Sequence, residues 1–189
     1  MDLRLSHSFT PLQFGNKVLG YEEYTPAMAL LPYIACYWTV KGEKLSCDEK
    51  KHLKVLPDGC IDFIFQKHRS LGYVGTVTGA MNQFADVPIQ RNSVFLGIRF
   101  RPGGLRSLFQ VAADSYSGHS IDLSDIDKSW TEIQYRLLET TDKVSLLNTV
   151  LLQKLNQKKR VQNESPIANL LHRIYQQQGN IKVRQLAED

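Results

Sequence analysis

Six residues carry the chemistry this sequence offers: Tyr33, Tyr37, Trp38, Asp62, Arg99 and Arg101. The run Arg99-Phe-Arg-Pro-Gly-Gly104 sets two arginines at the end of a strand-like segment, ahead of a Gly-Gly turn that leads into a helical pattern. Guanidinium forks beside the free N–H groups of a helix start can hold an anion. The same arginines fall on the face opposite Leu96, Ile98 and Phe100, where they can instead pair with carboxylates such as Asp62. Ion pairs of that kind are the commoner use. Tyr33, Tyr37 and Trp38 are aromatics of the type that wall a small-molecule pocket, with the domain core as the competing use for each. As a group the six form the candidate ligand site.

Other chemistries find less support. The five histidines (His7, His52, His68, His119 and His172) stand singly, with no pair at i, i+2 or i, i+4 beside a carboxylate, as a metal site preformed on one element would want. His52, Cys60 and His68 could act together only if the fold brought them there. No Gly-x-Ser-x-Gly elbow occurs, and no cysteine has an activating neighbourhood. Cys60 follows a Pro-Asp-Gly turn and precedes an apolar run, so it reads as a small buried hydrophobe. Gly72, Gly75 and Gly79 lack the Gly-Lys-Ser/Thr and helix start of a phosphate loop. The residues therefore nominate no catalytic group, no metal site and no cofactor.

Strands and turns must position the candidates. Tyr33–Val40 is rich in aromatic and β-branched residues; His52–Leu56 alternates, with Leu53 and Val55 on one face. Pro57-Asp58-Gly59 is a turn, after which Ile61, Phe63 and Phe65 share one face of a strand and Asp62 and Ile64 the other. Leu71–Thr78 and Ser93–Arg101 complete five short strands, a pattern that predicts a small barrel or sandwich. The period changes after Arg101. Leu105–Gln110 is a short helical pattern. A helix is predicted over Ser124–Glu139, with Ser124 as N-cap and Ile126, Trp130, Ile133 and Leu137 as its stripe. Another is predicted over Asp142–Asn156, through Val144, Leu147, Leu151 and Leu155. The polar, basic stretch Gln153–Glu164 reads as an exposed helix end running into a linker. A fourth helix runs from the N-cap Ser165 and Pro166, through Ile167, Leu170, Leu171 and Ile174, to a glycine stop at Gly179. Asn180–Asp189 opens a further amphipathic helix with Val183, Leu186 and Ala187 on one face, and the sequence stops within that pattern.

Of the 189 residues, 42% are hydrophobic and 22% charged, which is globular composition rather than disorder. The net charge of +4 lies wholly in residues 151–189, which hold seven basic and three acidic side chains. Any polyanion partner would be met there. The longest apolar stretch, Ala27–Trp38, is interrupted by Pro32 and falls short of the ~20 residues a bilayer span needs. The first residues lack the apolar core of a secretory signal, and the three cysteines are irregularly spaced. The expectation is a cytoplasmic protein without membrane association.

Three of these segments, taken in order, resemble a family. Tyr33-Ile-Ala-Cys-Tyr-Trp38, Leu56-Pro-Asp-Gly-Cys-Ile-Asp-Phe-Ile-Phe65 and Leu96-Gly-Ile-Arg-Phe-Arg-Pro-Gly-Gly104 resemble the successive motifs of an N-terminal sensor domain attached to bacterial AraC/XylS-type transcription regulators. The resemblance covers most of residues 20–125. The helical stretch to about Asn156 is similar to the connecting region, and Ile167–Asp189 looks like the opening of the DNA-binding domain. What this implies is an α+β chain. A β-barrel or cupin-like domain (1–125) senses a small-molecule effector or mediates homodimerisation. A helical connector (126–160) leads to an incomplete helix-turn-helix unit (161–189). Nothing up to Asp189 corresponds to the recognition helix that enters the major groove, so DNA would be a partner through a further C-terminal domain, and no DNA-contacting residue carries over. A stand-alone cupin-like metal enzyme is the alternative.

Overall fold

The computed structural model describes residues 20–42, 45–46, 50–111, 116, 120–159, 170, 173–174, 176–177 and 179–187. Two sheets and a helical layer make up the body. Six strands pair antiparallel in the order β1-β2-β7-β4-β5-β8: β1 (Glu22–Tyr24), β2 (Ile34–Lys41), β4 (Ile61–His68), β5 (Gly72–Thr78), β7 (Val94–Phe100) and β8 (Ser120–Asp122). The other two, β3 (Lys51–Val55) and β6 (Ala85–Ile89), pair only with each other, as a separate two-stranded ribbon. Between them in sequence, β4 and β5 form a hairpin within the large sheet. The chain thus leaves the ribbon, makes the hairpin, and returns to the ribbon above it.

All five strands expected from the sequence are present, four of them within a residue or so at their ends, while β4 runs three residues past Phe65 to His68. The expected barrel is not: among the described residues the sheet stays open, ending at β1 and β8, which are three residues each. The reason lies in the two-sided burial of the middle strands. On β4, Ile61, Phe63 and Phe65 enter a large apolar cluster with the helices, while Ile64 packs against a second cluster formed with the ribbon. A sheet covered on both faces by separate layers need not close on itself to bury its strands.

Among the described residues one face is covered by α1 (Gly104–Phe109), α2 (Leu123–Ile126), α3 (Ser129–Glu139) and α4 (Lys143–Lys159), while α5 (Val183–Ala187) buries no residue. Trp130, Ile133 and Leu137 of α3 and Leu147, Leu151 and Leu155 of α4 are buried, and Ile126 and Val144 pack beside them, as their periodicity requires. This cluster joins helices and sheet, and it runs without a break across residue 125.

The single helix expected over Ser124–Glu139 is in fact two. Asp122, rather than Ser124, caps α2: its Oδ1 accepts the Ser124 N–H at 2.8 Å. The chain then turns at Asp127, whose Oδ1 accepts the Ser129 N–H at 2.9 Å, and whose other oxygen takes the ammonium of Lys154 on α4. A short carboxylate that offers the backbone its own acceptor competes with the helix ladder. Gly179 is left-handed at φ 78°, and its N–H bonds the Ile174 carbonyl at 2.9 Å, which is the expected glycine stop. The expected cap Ser165, with Pro166, Ile167 and Leu171, lies outside the described residues, as do His7, His119 and His172. No described helix is long and apolar enough to cross a membrane.

Candidate functional site

The pairing register lays out the sheet face that looks toward the ribbon. Cys36, Arg99, Asp62 and Thr78 stand side by side across β2, β7, β4 and β5. In the row below stand Trp38, Gly97 and Ile64, and Val40 pairs with Phe95 below that. The first row is polar; in the next two the pocket-lining members are apolar, and Thr76 and Gln66, which continue those rows, do not line the pocket. The ribbon opposes them with Leu53, Val55, Ala85, Val87 and Ile89, and Tyr21 and Met81 complete the wall. Between the two layers lies a pocket of ≈ 290 Å³, lined almost wholly by apolar side chains, with Asp62 and Arg99 its only charged lining residues among those described.

The charged pair is built in. Arg99 is 3% exposed. Its Nε and Nη2 donate to Asp62 Oδ1 and Oδ2 at 3.2 and 3.3 Å, a bidentate fork. A second carboxylate, Asp58 Oδ2, lies 3.5 Å from Nε. The Pro-Asp-Gly turn puts it there: Gly59 is left-handed at φ 70°, and Asp58 Oδ1 accepts the Cys60 N–H at 2.9 Å. Arg99 Nη1 is buried with no acceptor among the described residues. Burial works against the guanidinium charge, but the two carboxylates outweigh it and hold Arg99 protonated more firmly than usual. Burial pushes the Asp62 carboxyl up, against the pull of Arg99 and of the Trp38 N–H.

Trp38 Nε1 donates to Asp62 Oδ1 at 3.1 Å, which ties the aromatic wall to the charged pair. Its indole lies directly over Gly97, where an added Cβ would stand 2.0–2.3 Å from ring atoms. Tyr21 stacks on the indole at 6.5 Å between ring centroids. Gly97 is therefore a clearance in the sheet floor. Gly97→Ala is expected to displace the indole, break its bond to Asp62 and cost about 1–3 kcal/mol, as overpacking does. Urea unfolding with near-ultraviolet circular dichroism checks this; unchanged stability and an unchanged tryptophan signal would contradict it.

Three of the six candidates thus converge: Trp38, Asp62 and Arg99. The other three do not. Tyr37 is buried on the helical face, where its hydroxyl donates to Asn148 Oδ1 at 2.9 Å. Neighbours on a strand point to opposite faces, so Tyr37 and Trp38 cannot share a pocket. Tyr33 packs against the same helical-side cluster. Arg101 lies just past the end of β7, and its Nε donates to the Leu31 carbonyl at 2.9 Å. At the Gly-Gly turn the Gly104 N–H donates to the Arg101 carbonyl at 2.8 Å, and an added Cβ there would stand 2.0 Å from the Tyr33 carbonyl oxygen.

Residues that the strand-by-strand reading did not nominate supply the rest of the site, namely Asp58, Gly97, Tyr21, Met81, Phe95 and the ribbon wall. The alternation of Leu53 with Val55 is a signal for one side of that wall, and Val87 with Ile89 repeats it on the other. Cys36 and Cys60 are buried, free thiols whose pKa values burial raises to about 12, so neither is a ready nucleophile. His52 pairs at the surface with Asp86 at 3.2 Å. Among the described residues no group of three or more His, Cys, Asp and Glu side chains is placed to hold a metal ion, and His52, Cys60 and His68 are not brought together.

Comparison with curated proteins and with solved structures gives no match. Residues 22–122, just over half of the chain and the segment that supplies every pocket-lining residue but Tyr21, match a family described as a domain of unknown function (DUF6597), and the chain belongs to that family.

Proposed function

We propose that this chain is the regulatory part of an AraC/XylS-type transcription regulator, acting in the cytoplasm, and that its pocket receives a small-molecule effector. The observation that carries this reading is the pocket itself: an apolar slot between two sheets with a buried, hydrogen-bonded Arg99–Asp62–Trp38 set at one end. Concave apolar walls with a few convergent polar groups are the usual form of a small-molecule site. Neither thiol at that end is activated, which favours binding over covalent turnover. In this reading DNA is contacted through helix-turn-helix units encoded downstream of residue 189, and occupancy of the pocket, or dimerisation through this part, controls them.

A thermal-shift screen of apolar metabolites tests the proposal. A true effector at 100 times its Kd adds ~2.7 kcal/mol, and Ile64→Trp, which fills the slot, should abolish the shift. The complete coding sequence, placed beside its own promoter region and a reporter, should then respond to the same compound. A hit that Ile64→Trp does not affect, or a reporter that ignores every hit, would overturn the reading.

A further inference from the structure

The charges at the polar end of the pocket do not cancel. One guanidinium faces two carboxylates, Asp62 at 3.2 Å and Asp58 at 3.5 Å. Among the described residues no other Lys or Arg lines the pocket, and the ribbon contributes Leu53, Val55, Ala85, Val87 and Ile89. An acidic ligand would therefore meet a cation whose charge two carboxylates already offset, with Nη1 as its one donor lacking an acceptor among the described residues and walls that cannot solvate a further anion. A cationic ligand gains little more. Both oxygens of Asp62 already accept hydrogen bonds, Oδ1 from Trp38 and Arg99, Oδ2 from Arg99. The rest of the lining cannot replace the water an ammonium group loses.

Size and shape narrow the occupant further. The pocket of ≈ 290 Å³ has about twice the volume of an apolar cavity that holds one benzene ring, ~150 Å³. The stacked Tyr21 and Trp38 rings both line the slot and give it a flat aromatic wall. Thr78, next to Asp62 in the polar row, offers a hydroxyl to a single polar substituent.

We propose that the pocket takes an uncharged, flat, two-ring apolar molecule with at most one small polar group, and that the Asp58–Arg99–Asp62 set excludes acids. This rests on the reading of the pocket as an effector site. Three probes on one frame test it at neutral pH: 2-naphthol, 2-naphthoate and 2-(aminomethyl)naphthalene, titrated calorimetrically into the 189-residue chain. The naphthol should bind at least about tenfold tighter than either charged probe, a difference of ~1.4 kcal/mol. Asp58→Asn, which leaves the Asp62 fork in place, and Asp62→Asn should each shift the naphthoate-to-naphthol ratio toward naphthoate. The ratio within one folded variant is the readout, so a variant that fails to fold leaves the other to decide. Naphthoate binding as tightly as naphthol to the unaltered chain would overturn the charge argument and leave the effector site standing. No binding of any probe below a Kd of ~1 mM would overturn the effector site as well.

Discussion

Arg99→Met is expected to lower the unfolding free energy by about 3–5 kcal/mol at neutral pH, the cost of stripping one partner from a buried ion pair. Much of that loss is the penalty of leaving Asp62 in a low-dielectric site without its countercharge, with Asp58 close to the same vacated position. The effect should depend on pH, and its sign follows from the carboxyl. The folded pKa of Asp62 already stands above 3.8 because of burial, and removing the guanidinium raises it further. A carboxyl whose folded pKa exceeds its unfolded value favours the fold most when protonated. Its contribution is complete below the unfolded pKa of 3.8 and is lost as pH rises through the folded value. The variant should therefore be least impaired in acid and most impaired at neutral pH. Urea unfolding of both proteins from acid to neutral pH measures this. Adding Asp62→Leu should recover part of the loss, since an apolar pair can replace a buried ion pair. A loss that does not vary with pH, together with a double variant no better than the single one, would mean that packing rather than charge is responsible.

The second large effect lies on the other side of the sheet. Trp130→Ala should cost about 3–5 kcal/mol. The Trp130 ring is fully buried and meets Phe63 edge-on at 5.3 Å, with Phe65 at 5.7 Å and Phe109 at 6.0 Å. It joins α3 to the middle of the sheet and to α1, so no single element can close over the cavity its loss would leave. Trp130→Phe separates volume from polarity. Trp130 Nε1 is buried with no acceptor among the described residues, and an unmet donor costs about 1–3 kcal/mol. The phenylalanine variant discards that donor and keeps much of the ring contact, so its loss should be less than half that of the alanine variant. Equal losses in the two would refute the role given to the ring contacts, since both variants discard the N–H.

Much of this site was legible residue by residue. Alternation alone placed Asp62 and Ile64 opposite Ile61, Phe63 and Phe65, and Arg99 opposite Leu96, Ile98 and Phe100. The Arg99–Asp62 pair realises the ion-pair reading of the arginines over the anion reading. The same two-residue period should have separated Tyr37 from Trp38, and grouping them by aromatic type concealed it. Other features left too little local signal. β1 and β8 are three residues each, too short to show a period. β6 contains Pro88, which ordinarily argues against a strand and is accommodated here in a ribbon with no neighbour on its outer side. The second wall of the pocket needed the pairing of residues 51–55 with 85–89 across an intervening hairpin. No windowed pattern encodes that pairing. Closure into a barrel was inferred from strand count, whereas the burial of both faces of β4 is what keeps the sheet open under two covering layers.

The ribbon's independence from the large sheet has a consequence for how the molecule could report occupancy. Among the described residues its two strands pair in the ladder only with each other, and side chains such as Leu53 and Ile89, packed on Trp38 and Val40, provide its apolar anchorage to the sheet. Such a unit can lift away as a body without breaking a single rung of the six-stranded ladder. Its opening free energy is then set by apolar contact across the slot, the same surfaces that an occupant would touch. Filling the slot adds contact on both sides at once, so occupancy and ribbon closure become one equilibrium measured in the exchange rates of the ribbon amides.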